Sequence, residues 1–136
     1  MKYFELYELV DRATFHSWGD DAWSLFNPDL LYSLDGIREF FGVPVYVNNW
    51  YNGHGNDQYK GYRPPNCPIG AVNSEHKKGN AADPVIQGYD AESARNLILE
   101  NQDHPLLCKI MRMEKNVPWL HIDCKKVKNR IHLFKG

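Results

Sequence analysis

Residues 107–114 and 119–124 read as two strands, and only Lys115-Asn116-Val117-Pro118 separates them. A connection this short joins antiparallel neighbours, because a parallel pairing needs a crossover of a dozen or more residues. A hairpin in place of a string of βα units points to an α+β fold with a small antiparallel sheet and helices packed on one side. Asn27-Pro28-Asp29 starts a helix, with Pro28 in its first turn. From Asp29 to Phe41 one face carries Leu30, Leu31, Leu34, Ile37, Phe40 and Phe41, and Gly42 stops it. Asp90 caps a second helix over 91–101, with Ala94, Leu97 and Ile98 inward. Residues 3–12 have helical apolar spacing, and 13–28 read as an ordered loop. Short strands are expected at 44–48 and 81–87, and the tail beyond Lys125 adds a final strand or packs as a cover. Between them, 49–73 is rich in Gly, Asn, Tyr and Pro, and irregular segments of that length are usually functional.

The 136 residues suit one domain, 1–136, and 43% hydrophobic with 13% aromatic residues can supply its core. Sixteen basic residues against 17 acidic ones leave a net charge of −1. Nucleic acid and anionic membranes demand a basic excess, so neither is an expected partner. No stretch is long and apolar enough to span a bilayer, and no signal peptide is visible. The expected place of synthesis is the cytoplasm, and action on a cell wall would need phage-type release or other export. Cys67, Cys108 and Cys124 are odd in number and form no CxxC pair, which argues against a disulfide framework or a cysteine zinc site. Oligomeric state leaves no mark in the sequence.

Chemistry concentrates in two segments. In Ser74-Glu75-His76-Lys77-Lys78-Gly79-Asn80-Ala81-Ala82-Asp83, small residues between His76 and Asp83 let the backbone fold tightly enough for both side chains to face one ion. Zinc accepts imidazole nitrogen and carboxylate oxygen, and catalytic sites use three protein ligands. Taken alone, the pair reads more readily as a hydrogen-bonded loop staple. In Val117-Pro118-Trp119-Leu120-His121-Ile122-Asp123, strand alternation puts Trp119, His121 and Asp123 on one face. Leu120 and Ile122 face the core, so His121 faces a cleft.

The pattern SxHxxGxAxD followed by WxHxD resembles the zinc D-alanyl-D-alanine carboxypeptidases and the phage L-alanyl-D-glutamate endopeptidases, which share the hedgehog/DD-peptidase fold. The resemblance runs from about Leu30 to Asp123 and is closest to the short phage and prophage members. Asn48-Asn49-Trp50 and Gly61-Tyr62-Arg63-Pro64-Pro65 match further segments of theirs. It implies a zinc ion held by His76, Asp83 and His121, and a peptidoglycan stem peptide as substrate. Arg63 would hold a substrate carboxylate, with Ser74 and Trp119 as further candidate substrate contacts; a serine beside the first ligand also supports the loop by side-chain-to-backbone hydrogen bonding. Many members carry an acidic base three residues before the second zinc histidine, where this chain has Pro118. Glu114, returned towards His121 by the hairpin, is then the leading candidate for the base. Asp123 is the alternative, either as base or as a partner orienting a ligand imidazole. The segment 50–56 would form a wall of the substrate cleft. The competing reading is a non-catalytic zinc-binding phage or prophage module serving structure or assembly.

Overall fold

The structure, a computed structural model, describes residues 1–136. It is α+β, with three α-helices and two small sheets.

The N-terminal region departs from the expected pattern. Within 3–12 a 3-10 turn, Leu6–Glu8, forms in place of a continuous helix, and the Glu8 carboxylate turns back to accept from the Glu5 N–H at 2.8 Å. Asp11 then caps a new helix, α1 (Arg12–Trp18), accepting from the Thr14 N–H at 3.1 Å and the Thr14 hydroxyl at 2.6 Å. A second 3-10 segment, Gly19–Leu25, follows. Much of the expected loop 13–28 is therefore helical, and the capping aspartate at position 11 was the signal for it. Helix α2 (Pro28–Phe41) matches expectation, opened by the Asn27 side chain and closed by Gly42 at φ +68°. Asp90 caps α3 (Ala91–Glu100) through the Ser93 N–H at 2.7 Å.

Residues 81–87 do not form one strand. Pro84 has no N–H, and the Asp83 N–H donates at 2.7 Å to the Lys60 carbonyl instead of to a ladder. The chain splits there into β2 (Ala81–Ala82) and β3 (Val85–Ile86), which lie in different sheets. Strand β1 (Val45–Tyr46) pairs with β3. The larger sheet has the order β2-β5-β4-β6, where β4 is Arg112–Glu114, β5 is Ile122–Asp123 and β6 is His132–Phe134. Strands β4 and β5 are antiparallel, with Arg112 opposite Asp123 and Met113 opposite Ile122. The tail does add a strand, but β6 runs parallel to β4, so the sheet is mixed and not purely antiparallel.

The hairpin is also looser than expected. Leu107 and Ile110 are fully buried in irregular turns after α3, so their apolarity marks core and not strand. Trp119, Leu120 and His121 precede the β5 ladder and belong to the connecting loop. Arg95 of α3 holds that loop, donating to the Trp119 carbonyl at 2.8 Å and the Val117 carbonyl at 3.2 Å.

Twenty-two buried residues form one apolar cluster that includes Leu30, Leu34 and Ile37 of α2, Ala94 and Ile98 of α3, and Met113 and Ile122 of the sheet. Helices and the larger sheet thus close on one another, and the polar residues described next lie on or beside β2, β5 and β4. No helix is long and apolar enough to cross a membrane.

Candidate metal centre

His76 sits in a 3-10 turn, Glu75–Lys78, and local chemistry fixes that turn at both ends. The Ser74 hydroxyl accepts from the His76 N–H at 3.2 Å. At the other end Gly79 takes φ +70°, and a β-carbon there would collide with the Leu25 carbonyl, so only glycine fits. Glu75 points inward and accepts from Lys78 Nζ at 3.1 Å and Asn80 Nδ2 at 3.0 Å. Ser74 thus shapes the loop, as the sequence indicated, while also lining the cleft.

The orientation of the two imidazoles decides what this site can hold. His76 Nδ1 lies 2.8 Å from the Gly61 carbonyl, which can only accept, so Nδ1 carries the proton and Nε2 is left with its lone pair. His121 Nε2 lies 2.8 Å from Asp123 Oδ2. The Asp123 carboxylate also receives Arg112 Nε at 2.9 Å and Nη2 at 2.8 Å, so it is ionised and His121 Nε2 must donate to it. His121 Nδ1 is the nitrogen left over. Both remaining nitrogens face one atom, Asp83 Oδ1, at 3.2 Å for His76 and 2.9 Å for His121.

Donor atoms of His76, Asp83 and His121 all lie within 4.8 Å of one another. His76 and His121 are buried, and Asp83 is nearly so. Three lone-pair donors aimed together repel unless something positive sits among them, and a proton or a divalent cation can serve. Two nitrogens and one oxygen, each imidazole tethered through its other nitrogen, form a donor set that fits zinc.

In the metal-free protein the proton fills this role. Burial pushes the Asp83 carboxyl up, but the neighbouring imidazoles, His121 first and then His76, outweigh it and hold it far below the usual range. Burial likewise disfavours the His121 cation, yet Asp123 and then Asp83 push the ring up to about 9. Asp123 is lowered, burial being overcome by His121 and Arg112. A raised histidine stabilises the fold fully below its unfolded value of 6.5 and loses that contribution as pH rises through about 9. A lowered carboxylate stabilises above its unfolded value of 3.8 and loses the contribution on acidification. With chelator present, the urea midpoint should therefore be highest between about pH 4 and 6.5 and fall towards pH 9.

Arg112 is the residue the sequence reading did not identify. No motif marks it, and only the β4–β5 register sets it directly opposite Asp123. Its guanidinium also lies 4.0 Å from the Phe134 ring centroid, and Phe134 in turn sets its edge against His121, 5.4 Å between centroids. Asp123 is fully buried and engaged by Arg112, His121 and the Lys125 N–H. This geometry suits orienting His121 better than proton transfer to a substrate. For a zinc ion held by His76, Asp83 and His121, Arg112→Met would weaken binding by about 10–100-fold, the usual effect of losing an outer partner of a ligand, and Arg112→Lys would recover part of it. Competition with a chromogenic chelator measures both.

A cleft runs past the donor atoms. One cavity of about 470 Å³ is lined by His76, Asp83, His121, Ser74, Arg112 and Glu114. A second, of about 630 Å³, is more apolar and includes Val85, Tyr89, Ala94 and Leu120. Both include Arg63, Ile69, Asp83 and Trp119, so these residues stand at the junction. Arg63 is not a solvated loop residue. Its Nε donates to the Tyr59 carbonyl at 2.8 Å and its Nη2 lies 3.6 Å from Asp83 Oδ2. Trp119 is 45% exposed there. With Arg112 held by Asp123, Glu114 is left without a cation partner. The 50–56 segment only partly meets its expectation. Asn56 lines the apolar cavity, whereas Tyr51, Asn52 and His54 line a separate cavity farther along. His16, His54, His104 and His132 are exposed and outside the donor set.

No protein-family model, curated protein or solved structure matches the chain.

Proposed function

We propose that the chain is a zinc-dependent peptidase of hedgehog/DD-peptidase type that hydrolyses peptidoglycan stem peptides. The observation that carries this reading is the pair of tethered imidazoles, each turning its free nitrogen to the same Asp83 oxygen at the junction of two cavities. His76, Asp83 and His121 would hold the ion. Zinc so held supplies a Lewis acid for a carbonyl oxygen and lowers the pKa of bound water. Arg63 presents a guanidinium to a substrate carboxylate at the same junction, and bidentate recognition is what its planar fork favours. Trp119, exposed between the cavities, offers a flat apolar wall to the peptide. Glu114 takes a proton from the attacking water and returns it to the leaving amine.

Pro118 keeps a second reading in place. It stands where an acidic residue is usual, lies exposed, and cannot accept a proton. A zinc-binding module serving assembly in a phage or prophage would carry the same donor set without the base. Incubating the purified protein with disaccharide-linked stem peptides, and separating the products by chromatography, distinguishes the two. Cleavage that chelator abolishes and zinc restores supports the peptidase. Stoichiometric zinc without cleavage supports the module.

A further inference from the structure

Tyr51 is 51% exposed although its ring is tightly held. It stacks on Tyr7 with centroids 3.9 Å apart and planes 16° from parallel, and Trp50 and Phe15 set their edges against it at 5.5 and 5.8 Å. Trp50 is itself anchored by donation from Nε1 to the Val10 carbonyl at 2.9 Å. Tyr46 lines the same cavity and is 48% exposed, its hydroxyl 3.2 Å from Gln87 Oε1. The cavity measures about 540 Å³. Exposed rings immobilised in this way mark a contact surface, because binding costs them little rotamer freedom.

The rest of the lining narrows the ligand. Asn52 and His54 are exposed on the rim, while Asn48 and Asn49 are fixed behind them by bonds to Val10 and Asp57. Lys60 is paired with Asp57 at 3.3 Å, so the cavity offers a ligand no uncompensated cation. Glu8 also lines the cavity, its carboxylate accepting from the Glu5 N–H, so the lining carries an excess negative charge that disfavours an anionic ligand. Exposed rings beside amides and a carboxylate acceptor suit an uncharged, hydroxyl-bearing ligand with a flat C–H face. A pyranose ring has that form.

We propose that this cavity binds a saccharide, the glycan end of a glycopeptide whose peptide portion lies along the metal cleft. The cavity shares Asp57, Lys60 and Val85 with the apolar cavity, which in turn shares Arg63, Asp83 and Trp119 with the cavity holding the donor atoms. The three cavities thus adjoin in series, from the tyrosines through the apolar cavity to the metal centre. The inference extends the peptidoglycan reading by naming the glycan as part of what is recognised, but the saccharide contact does not require catalysis.

The test uses the metal-free 136-residue chain and three probes: N-acetylglucosamine oligomers, a free stem peptide, and the same peptide joined to its disaccharide. Calorimetric titration should show the glycopeptide binding about tenfold tighter than the free peptide, the effect expected of one good aromatic contact. Tyr51→Ala should remove that difference. Tyr46→Ala, at a ring outside the aromatic stack, should reduce it even if Tyr51→Ala disturbs the fold. The oligomers should shift Tyr51 and Asn52 resonances in NMR. Equal affinity for the two peptides, or tighter binding of the free peptide, would overturn the proposal. If the peptidase reading alone is wrong, hydrolysis is absent while the glycan-dependent difference persists.

Discussion

His121→Ala is expected to abolish zinc retention. The imidazole is the only side chain that ties both carboxylates together, meeting Asp83 through Nδ1 and Asp123 through Nε2. Removing it deletes one of three donors and leaves His76 and Asp83 as a pair, too few for a tight zinc site. Losing an outer partner alone costs about 10–100-fold in affinity, so losing a ligand should exceed about 100-fold. The substitution should also destabilise the metal-free protein, since hydrogen bonds to charged groups contribute about 1.5–3 kcal/mol each. Elemental analysis after dialysis and thermal unfolding with and without zinc check both parts. On the proposed reading wild type should rise in Tm with zinc, which would bind the folded chain in preference to the unfolded one, and the variant should not. His54→Ala, at an exposed ring away from the donors, should keep the metal. Undiminished zinc in His121→Ala would show that the three donors do not act together.

Glu114→Gln should have the opposite profile. Glu114 lines the cleft with His76 and His121, but its carboxylate is neither among the clustered donors nor part of an ion pair. The amide keeps its shape and removes the proton acceptor. Zinc content and Tm should stay near wild type while kcat falls by about 10²–10⁴-fold, the range for losing a general base. Full activity in this variant would place the base elsewhere. Asp123→Asn separates the two candidates by a different signature. Asp123 acts through His121 and is held by Arg112, so its loss should lower zinc affinity together with turnover.

What could be read directly from the chain was whatever depends on neighbours in sequence. Asn27-Pro28 and Gly42 bound α2, and Asp90 opens α3, because capping is settled within a turn of backbone. The small residues between His76 and Asp83 likewise bring two donors together over a short span. The N-terminal helix was misplaced because its apolar spacing was read without the cap at Asp11, and local capping outweighs periodicity over so few residues. Apolar residues such as Leu107 and Ile110 looked like strand because burial and strand pairing leave the same mark in a short run.

Long-range pairing decided the remainder. Which strand lies beside which is a matter of register and topology, and these put Arg112 opposite Asp123 and β6 alongside β4. His76 and His121 were named as candidates from their motifs. Only the folded arrangement selects Nε2 of one and Nδ1 of the other, since the tethering groups, the Gly61 carbonyl and Asp123, come from separate parts of the chain. A sequence specifies which donors exist; the tautomer each presents is set by the hydrogen bond its other nitrogen finds, and that partner is chosen by packing.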